Sequence, residues 1–497
     1  MTAIVLVALA VASRFAVRSP LWLDEALTVN IASLPVADIP GALRQDGHPP
    51  LYYFLLHYWI DFVGDGDSAV RALSGLFGLL SLPLAHIAGR RFGGRSAGRL
   101  AVAFVAVSPF AVRYSSEVRM YSLMTLLGLA LWLSVETGLR RPSWLWTAVV
   151  TLLTAAILLT HYWGSAAVAA GFLWLVWARR SWVGAARVAA GRMLGALVAG
   201  GLLFLPWTPV LLDQLRHTGT PWATSPTPPT MVVRTMVALA GGDRTNVSLA
   251  LLMVLSVVLA MGYGTERWES STDRLPTAVV VPRGARDARR PVLVIVAVMT
   301  IGILMVTVAD SAYEPRYSAV VFGAVAVVAA LGMSRLEWRW AGALLALTVL
   351  TVSVLVDGDL VREERTQGRQ VAEALEAAAP GDLVIFCPDQ LGPATTRYLR
   401  TDVRAVAYPD LTDPRFVNWS DYAERMSGAE PDMVANRILE IAGGSGVWMV
   451  WQGGYRTLGD SCQRLELDLA LRLGPGETVV APAEEVFEPA RLVRFPR

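Results

Sequence analysis

Charge is scarce in this 497-residue chain: Asp, Glu, Lys and Arg make up 17% of it, and the net charge is only +2. A soluble domain carries nearer a quarter of charged residues, so an ordinary soluble enzyme is a poor description. The near-neutral balance, with no concentrated basic face, argues against a nucleic-acid partner. Cysteine is rarer still. The two residues, Cys387 and Cys462, both fall late in the chain, where a disulfide and two buried thiols are equally open because sequence does not give their separation. Also missing are a His-Glu-x-x-His helix and an outward Ser-His-Asp spacing, which leaves a zinc protease or a serine hydrolase without support. The glycine-rich run Gly443-Gly444-Ser445-Gly446 precedes an apolar strand-like stretch instead of opening a helix after one, the wrong order for a dinucleotide or P-loop site. No repeat of solenoid period is present.

What is abundant is apolar sequence, 54% of the chain. It comes in eleven blocks: Ile4–Val17, Ser68–Ala88, Leu100–Val112, Met120–Val135, Trp144–Leu159, Gly164–Trp177, Met193–Leu212, Val247–Tyr263, Val292–Ala309, Ser318–Met333 and Trp340–Val356. A bilayer core needs about 20 apolar residues per helix, and only helices satisfy their own backbone there. The reading is therefore a polytopic α-helical membrane module over 1–356, with about 11 crossings. Ile4–Val17 lacks a basic start and a clear cleavage site, so it is taken as a helix and not a signal peptide.

Arginines set the orientation. The loops around Arg90–Arg99, Arg140–Arg141, Arg179–Arg192, Arg267–Arg290 and Arg335–Arg339 hold twice as many as the opposite set. The first set is expected to be cytoplasmic in a plasma (inner) membrane. The second set and the C-terminal segment are then extracytoplasmic. Leu51–Val63 is too short to cross and rich in Tyr and Trp, which favours a helix lying in the interface within an outer loop of about residues 21–67. Thr220–Thr230 reads as an outward Pro/Thr-rich loop and Gly264–Arg290 as a polar cytoplasmic one.

After Val356 the composition turns polar. Strand-type runs at Leu383–Cys387 and Val447–Trp451 alternate with helical patterns at Val371–Ala378, Met433–Ile441 and Leu465–Leu473. The expectation is a soluble extracytoplasmic α/β domain over 357–497.

Ionisable residues at helix mouths are costly and need a reason. Those on the outward side form five clusters: Leu21-Trp22-Leu23-Asp24-Glu25; Asp46 to Tyr53, with His48 and Tyr52; Arg113 to Tyr121, with Glu117 and Arg119; His161-Tyr162-Trp163; and Tyr313 to Tyr317, with Arg316. Each has a plain reading as a helix stop, a turn, a solvated ion pair or an interface anchor. Together they place acids, histidines and arginines on one side of the bilayer. Arginine reads phosphate through paired N–H donors. A carboxylate beside it stays ionised and can take a proton from a hydroxyl. That combination suggests a lipid-phosphate leaving group.

Leu21-Trp22-x-Asp24-Glu25, His48-Pro49-Pro50-Leu51-Tyr52 and Tyr114-Ser115-x-Glu117-x-Arg119-Met120-Tyr121 resemble the bacterial family-39-like glycosyltransferases of the GT-C superfold. That group includes protein O-mannosyltransferases and aminoarabinose transferases of lipid A. The resemblance implies an inverting transferase of mannosyl- or arabinosyl-type, moving a sugar from a polyprenyl-phosphate donor to a hydroxyl on a lipid, polysaccharide or protein acceptor. It implies Asp24 as the base with Glu25 beside it, Arg119, Arg316 and Arg113 holding the lipid phosphate, and His48 binding the sugar. Tyr52, Glu117, His161 and Tyr162 would line the site. No metal is assigned, although Asp24, Glu25 and His48 could supply ligands to a divalent ion. The competing readings are a lipid or sugar transporter or flippase, which would favour midplane polar groups and related halves, and an inactive scaffold subunit of a cell-envelope assembly.

Overall fold

The structure is a computed structural model, which describes residues 2–219, 225–242, 245–263, 266–268, 279–281, 286–334 and 339–496. The loop expected at 264–290 lies largely outside the described residues, as does part of that at 220–230. The chain divides into two compact units. One, the helical unit, comprises Met1–Val17, Arg71–Thr208 and Ser225–Val361; the other, the mixed unit, comprises Arg18–Val70, Pro209–Thr224 and Arg362–Arg497.

Seven helices among the described residues are long and apolar enough to cross a bilayer: Asp67–Val107, Tyr121–Arg140, Gly184–His217, Asn246–Tyr263, Ala288–Val308, Pro315–Ser334 and Gly342–Arg362. Trp144–Leu158 is apolar but shorter. The chain is thus a polytopic helical membrane protein. Two of the apolar blocks fall on the single element Asp67–Val107, which is broken at Gly93 (φ −140°) and Gly94 (φ +75°). Only glycine adopts the second conformation without a steric penalty, so the break sits where the sequence permits it. The same block does not run on to Val112. Pro109 holds Ser108 extended (ψ 127°) and starts a separate short helix, Pro109–Ser115.

Within the helical unit, Ala319–Met333 is buried along its whole length. Glycines let its neighbours come close: a Cβ at Gly332 would lie 2.0 Å from the Val258 carbonyl oxygen, and one at Gly262 2.1 Å from that of Val328. Small residues at facing positions are how membrane helices maximise dispersion contact without a hydrophobic driving force. The buried Arg14 donates to the carbonyls of Val105 (2.8 Å) and Ala106 (2.7 Å), satisfying the last turn of Asp67–Val107 with a cation where the helix dipole favours one.

The mixed unit carries a five-stranded sheet. With β1 (Glu266–Trp268) and β2 (Val279–Val281) forming a separate ribbon, its strands are β3 (Leu383–Cys387), β4 (Arg404–Ala407), β5 (Val447–Trp451), β6 (Glu477–Val480) and β7 (Arg491–Arg494), in the order β4-β3-β5-β7-β6. The pairs β3–β4 and β3–β5 are parallel, whereas β5–β7 and β6–β7 are antiparallel. Every residue of β3 and β5 is buried, as expected of central strands covered on both faces. Val371, Leu375, Val384, Phe386, Trp448, Val450 and Leu492 form one core against them. Cys387, at the end of β3, is joined to Cys462 by a disulfide, which decides between the two alternatives the sequence left open.

Candidate functional site

The acid pair lies in the mixed unit, in the first turn of the helix Leu23–Ala32. Glu25 is fully buried and Asp24 partly exposed. Thr28 donates its hydroxyl to the Asp24 carbonyl (2.6 Å). The helix has no ordinary cap: its N-cap is Trp22, whose side chain makes no capping bond to the helix. The Leu23 N–H is instead received by both carboxyl oxygens of Glu488 (3.0 and 3.1 Å). Tyr398, in the segment between β3 and β4, accepts from the Leu21 N–H (2.7 Å) and donates to Asp67 (2.7 Å), which also takes Arg397 (2.9 Å) and Arg369 (3.0 Å). The helix Gly392–Thr396 packs on Leu23–Ala32. The segment bearing the acid pair is thereby fixed to the sheet.

His48 sits before the helix Leu51–Val63, which occupies the residues expected from the sequence. Its Nδ1 donates to Asp46 (2.8 Å), and Tyr53 donates to the same carboxylate oxygen (2.7 Å). Asp46 therefore orients His48, as a carboxylate fixes an imidazole tautomer. Tyr52 is fully buried, edge-on to Tyr53 at 6.3 Å. His57 donates to the Ala32 carbonyl (2.7 Å), tying this helix to the acid-pair helix.

The other candidates lie in the helical unit. Arg113, in the last turn of Pro109–Ser115, and Glu117, just past that helix, form an ion pair (3.4 Å), with Glu117 buried. Tyr121 opens the helix Tyr121–Arg140 and is a hub: the guanidinium carbon of Arg119 is 6.0 Å and that of Arg316 5.7 Å from its ring centre. The His161 ring is 5.9 Å from Tyr121 and 5.0 Å from Tyr317. The Arg119 carbonyl accepts from Ser74 (3.1 Å). Tyr162 turns elsewhere and accepts from the indole of Trp207 (3.1 Å).

Four of the ten candidates lie in the mixed unit and six in the helical unit. Arg119, Arg316 and His161 meet around one tyrosine although their sequence positions span almost two hundred residues. The structure adds Asp46, Tyr121, Tyr317 and Glu488 to the set. The first three belong to the polar clusters of the sequence. Glu488 had no local signal. Burial, reinforced by the charges of Asp24 and Glu25, raises its carboxyl to about 8. Asp389, just past β3, is raised by burial to about 7 although Tyr422 donates to it (2.6 Å). Among the described residues no group of three or more His, Cys, Asp or Glu side chains is arranged to hold a metal ion.

Residues 47–207 match the family model described as dolichyl-phosphate-mannose-protein mannosyltransferase. No curated protein matches the chain by sequence. Among solved structures, ArnT from Cupriavidus metallidurans in the apo state aligns with a TM-score of 0.67 at 13% identity, covering 99% of this chain and 97% of that one. The same enzyme bound to undecaprenyl phosphate gives 0.60 at 13% identity over the same shares. Arabinofuranosyltransferase AftD from Mycobacteria gives 0.52 at 12% identity, covering 99% of this chain but 40% of that one. At such identities the likeness is one of fold: this chain has the fold of the GT-C membrane glycosyltransferases.

Proposed function

We propose that the chain is a membrane glycosyltransferase that moves a mannosyl- or arabinosyl-type sugar from a polyprenyl phosphate to an acceptor hydroxyl on the extracytoplasmic side of the plasma membrane. The observation that carries this reading is the pair of guanidinium groups, Arg119 and Arg316, gathered at the Tyr121 ring in the helical unit. Two arginines at the mouth of a helix bundle suit a phosphate on a lipid tail. A protein of the same fold has been seen with undecaprenyl phosphate.

In this mechanism the acceptor O–H loses its proton to the carboxylate of Asp24 as its oxygen attacks the anomeric carbon. The bond from that carbon to the phosphate oxygen breaks on the opposite face, so the configuration inverts. The polyprenyl phosphate leaves with one more negative charge, which Arg119 and Arg316, with Arg113 nearby in sequence, offset as it develops. Glu25 supports Asp24, and His48, oriented by Asp46, binds the sugar. Tyr52, Glu117, His161 and Tyr162 line the site, and the segment 357–497 faces the acceptor. Purified protein given a panel of polyprenyl-phosphate sugars and acceptors tests this. Release of free lipid phosphate that requires Asp24 is the expected result; sugar-lipid movement across proteoliposomes with no new glycosidic bond would replace the reading with a transporter.

A further inference from the structure

A helix leaves its first N–H groups without partners inside the helix, and Ser, Thr, Asp or Asn at the N-cap ordinarily meets one of them. The acid-pair helix has Trp22 there and receives no side-chain bond from it. Its first amide, that of Leu23, is held by Glu488, 465 positions further along the chain. Asp24 is the very next residue.

The holder is itself held. The Glu488 N–H donates to the Arg365 carbonyl (2.8 Å), and its carbonyl accepts from the Gln367 N–H (3.2 Å). The Gln367 side-chain oxygen takes the N–H groups of Ala483 (2.8 Å) and Ala490 (2.9 Å), closing the loop that carries Glu488 from both sides. Phe487 meets the Trp22 ring edge-to-face at 5.4 Å. The groups around the Glu488 carboxyl are Asp24 and Glu25 on the helix, the Thr366 hydroxyl, and Tyr455 after β5.

We infer that Glu488 is a positioning residue for the transfer reaction, setting the place of Asp24 through the backbone of Leu23. This rests on the reading of Asp24 as the base. A protonated carboxyl still accepts through its carbonyl oxygen, and a neutral group avoids adding a third negative charge beside Asp24 and Glu25. The raised affinity of Glu488 for its proton agrees with that form. Glutamine is then a close mimic, and alanine removes the acceptor.

The test compares Glu488→Gln, Glu488→Asp and Glu488→Ala in the full-length protein, by donor KM, kcat and hydrogen exchange of the segment 21–27. Glu488→Gln is expected to keep kcat within about twofold and exchange unchanged. Glu488→Ala is expected to lower kcat on the order of ten- to a hundredfold, the scale of a small misplacement of a reacting group, with donor KM unaltered and faster exchange at Leu23. Should Glu488→Ala not fold, Glu488→Asp, one methylene short, reports the same split more mildly. Wild-type kcat and exchange in the alanine or aspartate variant would overturn the inference. So would a glutamine variant as impaired as alanine, which would make the ionised carboxyl essential. Asp24→Asn run alongside separates the two claims: full activity there removes the base, while Leu23 exchange still reads the Glu488 bond.

Discussion

Two clusters of polar groups, one in each unit, are held in different ways. In the helical unit, one cluster sets basic side chains against aromatic rings: Arg119 and Arg316 at Tyr121, with His161 between Tyr121 and Tyr317. In the mixed unit, the buried carboxyls beside the acid pair, beside His48 and at the end of β3 are set against N–H and O–H donors: Glu488 at Leu23, Asp46 between His48 and Tyr53, Asp389 at Tyr422. The contrast has a chemical meaning. A ring contact uses the face of a guanidinium and not the N–H edge by which it reads phosphate. A hydrogen-bonded carboxyl is fixed in direction, which a base or its support needs. Under the proposed function, the first group would receive an anion and the second would aim a proton acceptor.

The largest expected effect is on the acceptor side of that contrast. Asp24→Asn keeps the shape of the side chain and removes its basicity, so kcat for lipid-phosphate release should fall by about 10²- to 10⁴-fold with donor binding preserved. Loss of donor binding instead, by titration of a polyprenyl phosphate, would move Asp24 to the anion side and erase the distinction. Next comes the covalent tie within the mixed unit. Replacing Cys387 and Cys462, 75 positions apart, by alanine should cost about 4.5 kcal/mol on the chain-entropy estimate. The loss should be visible as earlier thermal unfolding and proteolysis of the sheet segment, with the helical unit unaffected. Uniform destabilisation of both units would show that they do not unfold separately.

Smaller again is the effect on the cation side. Arg119→Gln and Arg316→Gln should each weaken donor use by about 1.5–3 kcal/mol, the worth of a charge-assisted hydrogen bond. Arg→Lys should rescue only in part, since an ammonium lacks the planar fork. The chain itself contains no lysine. A Lys variant indistinguishable from wild type would reduce the arginine pair to general electrostatics.

How far the sequence discloses these features follows from their range. Leu51–Val63, β3 and β5 could be read directly, because an apolar run bounded by Pro or Gly has one economical conformation. The shorter β4, β6 and β7 could not. They carry Arg or Glu at their ends, and β4 and β6 are largely uncovered at the sheet edges, so no apolar run announces them. The bend at Gly93-Gly94 was visible as two glycines but not as a join between two apolar blocks. In the site, Asp24, Glu25, His48 and Arg119 stood in compact motifs. Glu488 did not, because its partner is a backbone amide at the other end of the chain and a backbone amide leaves no mark in sequence.

The smallest expected effect is a slope, and it bears on whether the mixed unit truly holds neutral acids. Unfolded, the carboxyls of Glu488 and Asp389 titrate near 4.5 and 3.8; folded, burial raises them to about 8 and about 7. Below the lower values both states carry the protons and the native state keeps its full advantage. As pH rises through the interval, the unfolded chain releases protons that the folded chain retains, so stability declines until the folded carboxyls ionise, then levels off. The unfolding midpoint of the full-length protein should therefore drop between about pH 4 and about pH 8. Glu488→Gln with Asp389→Asn, which keep uncharged acceptors in place, should flatten that decline. An equal slope in wild type and double variant would mean that these carboxyls are ionised in the fold, and that Glu488 holds Leu23 as an anion at a helix N-terminus.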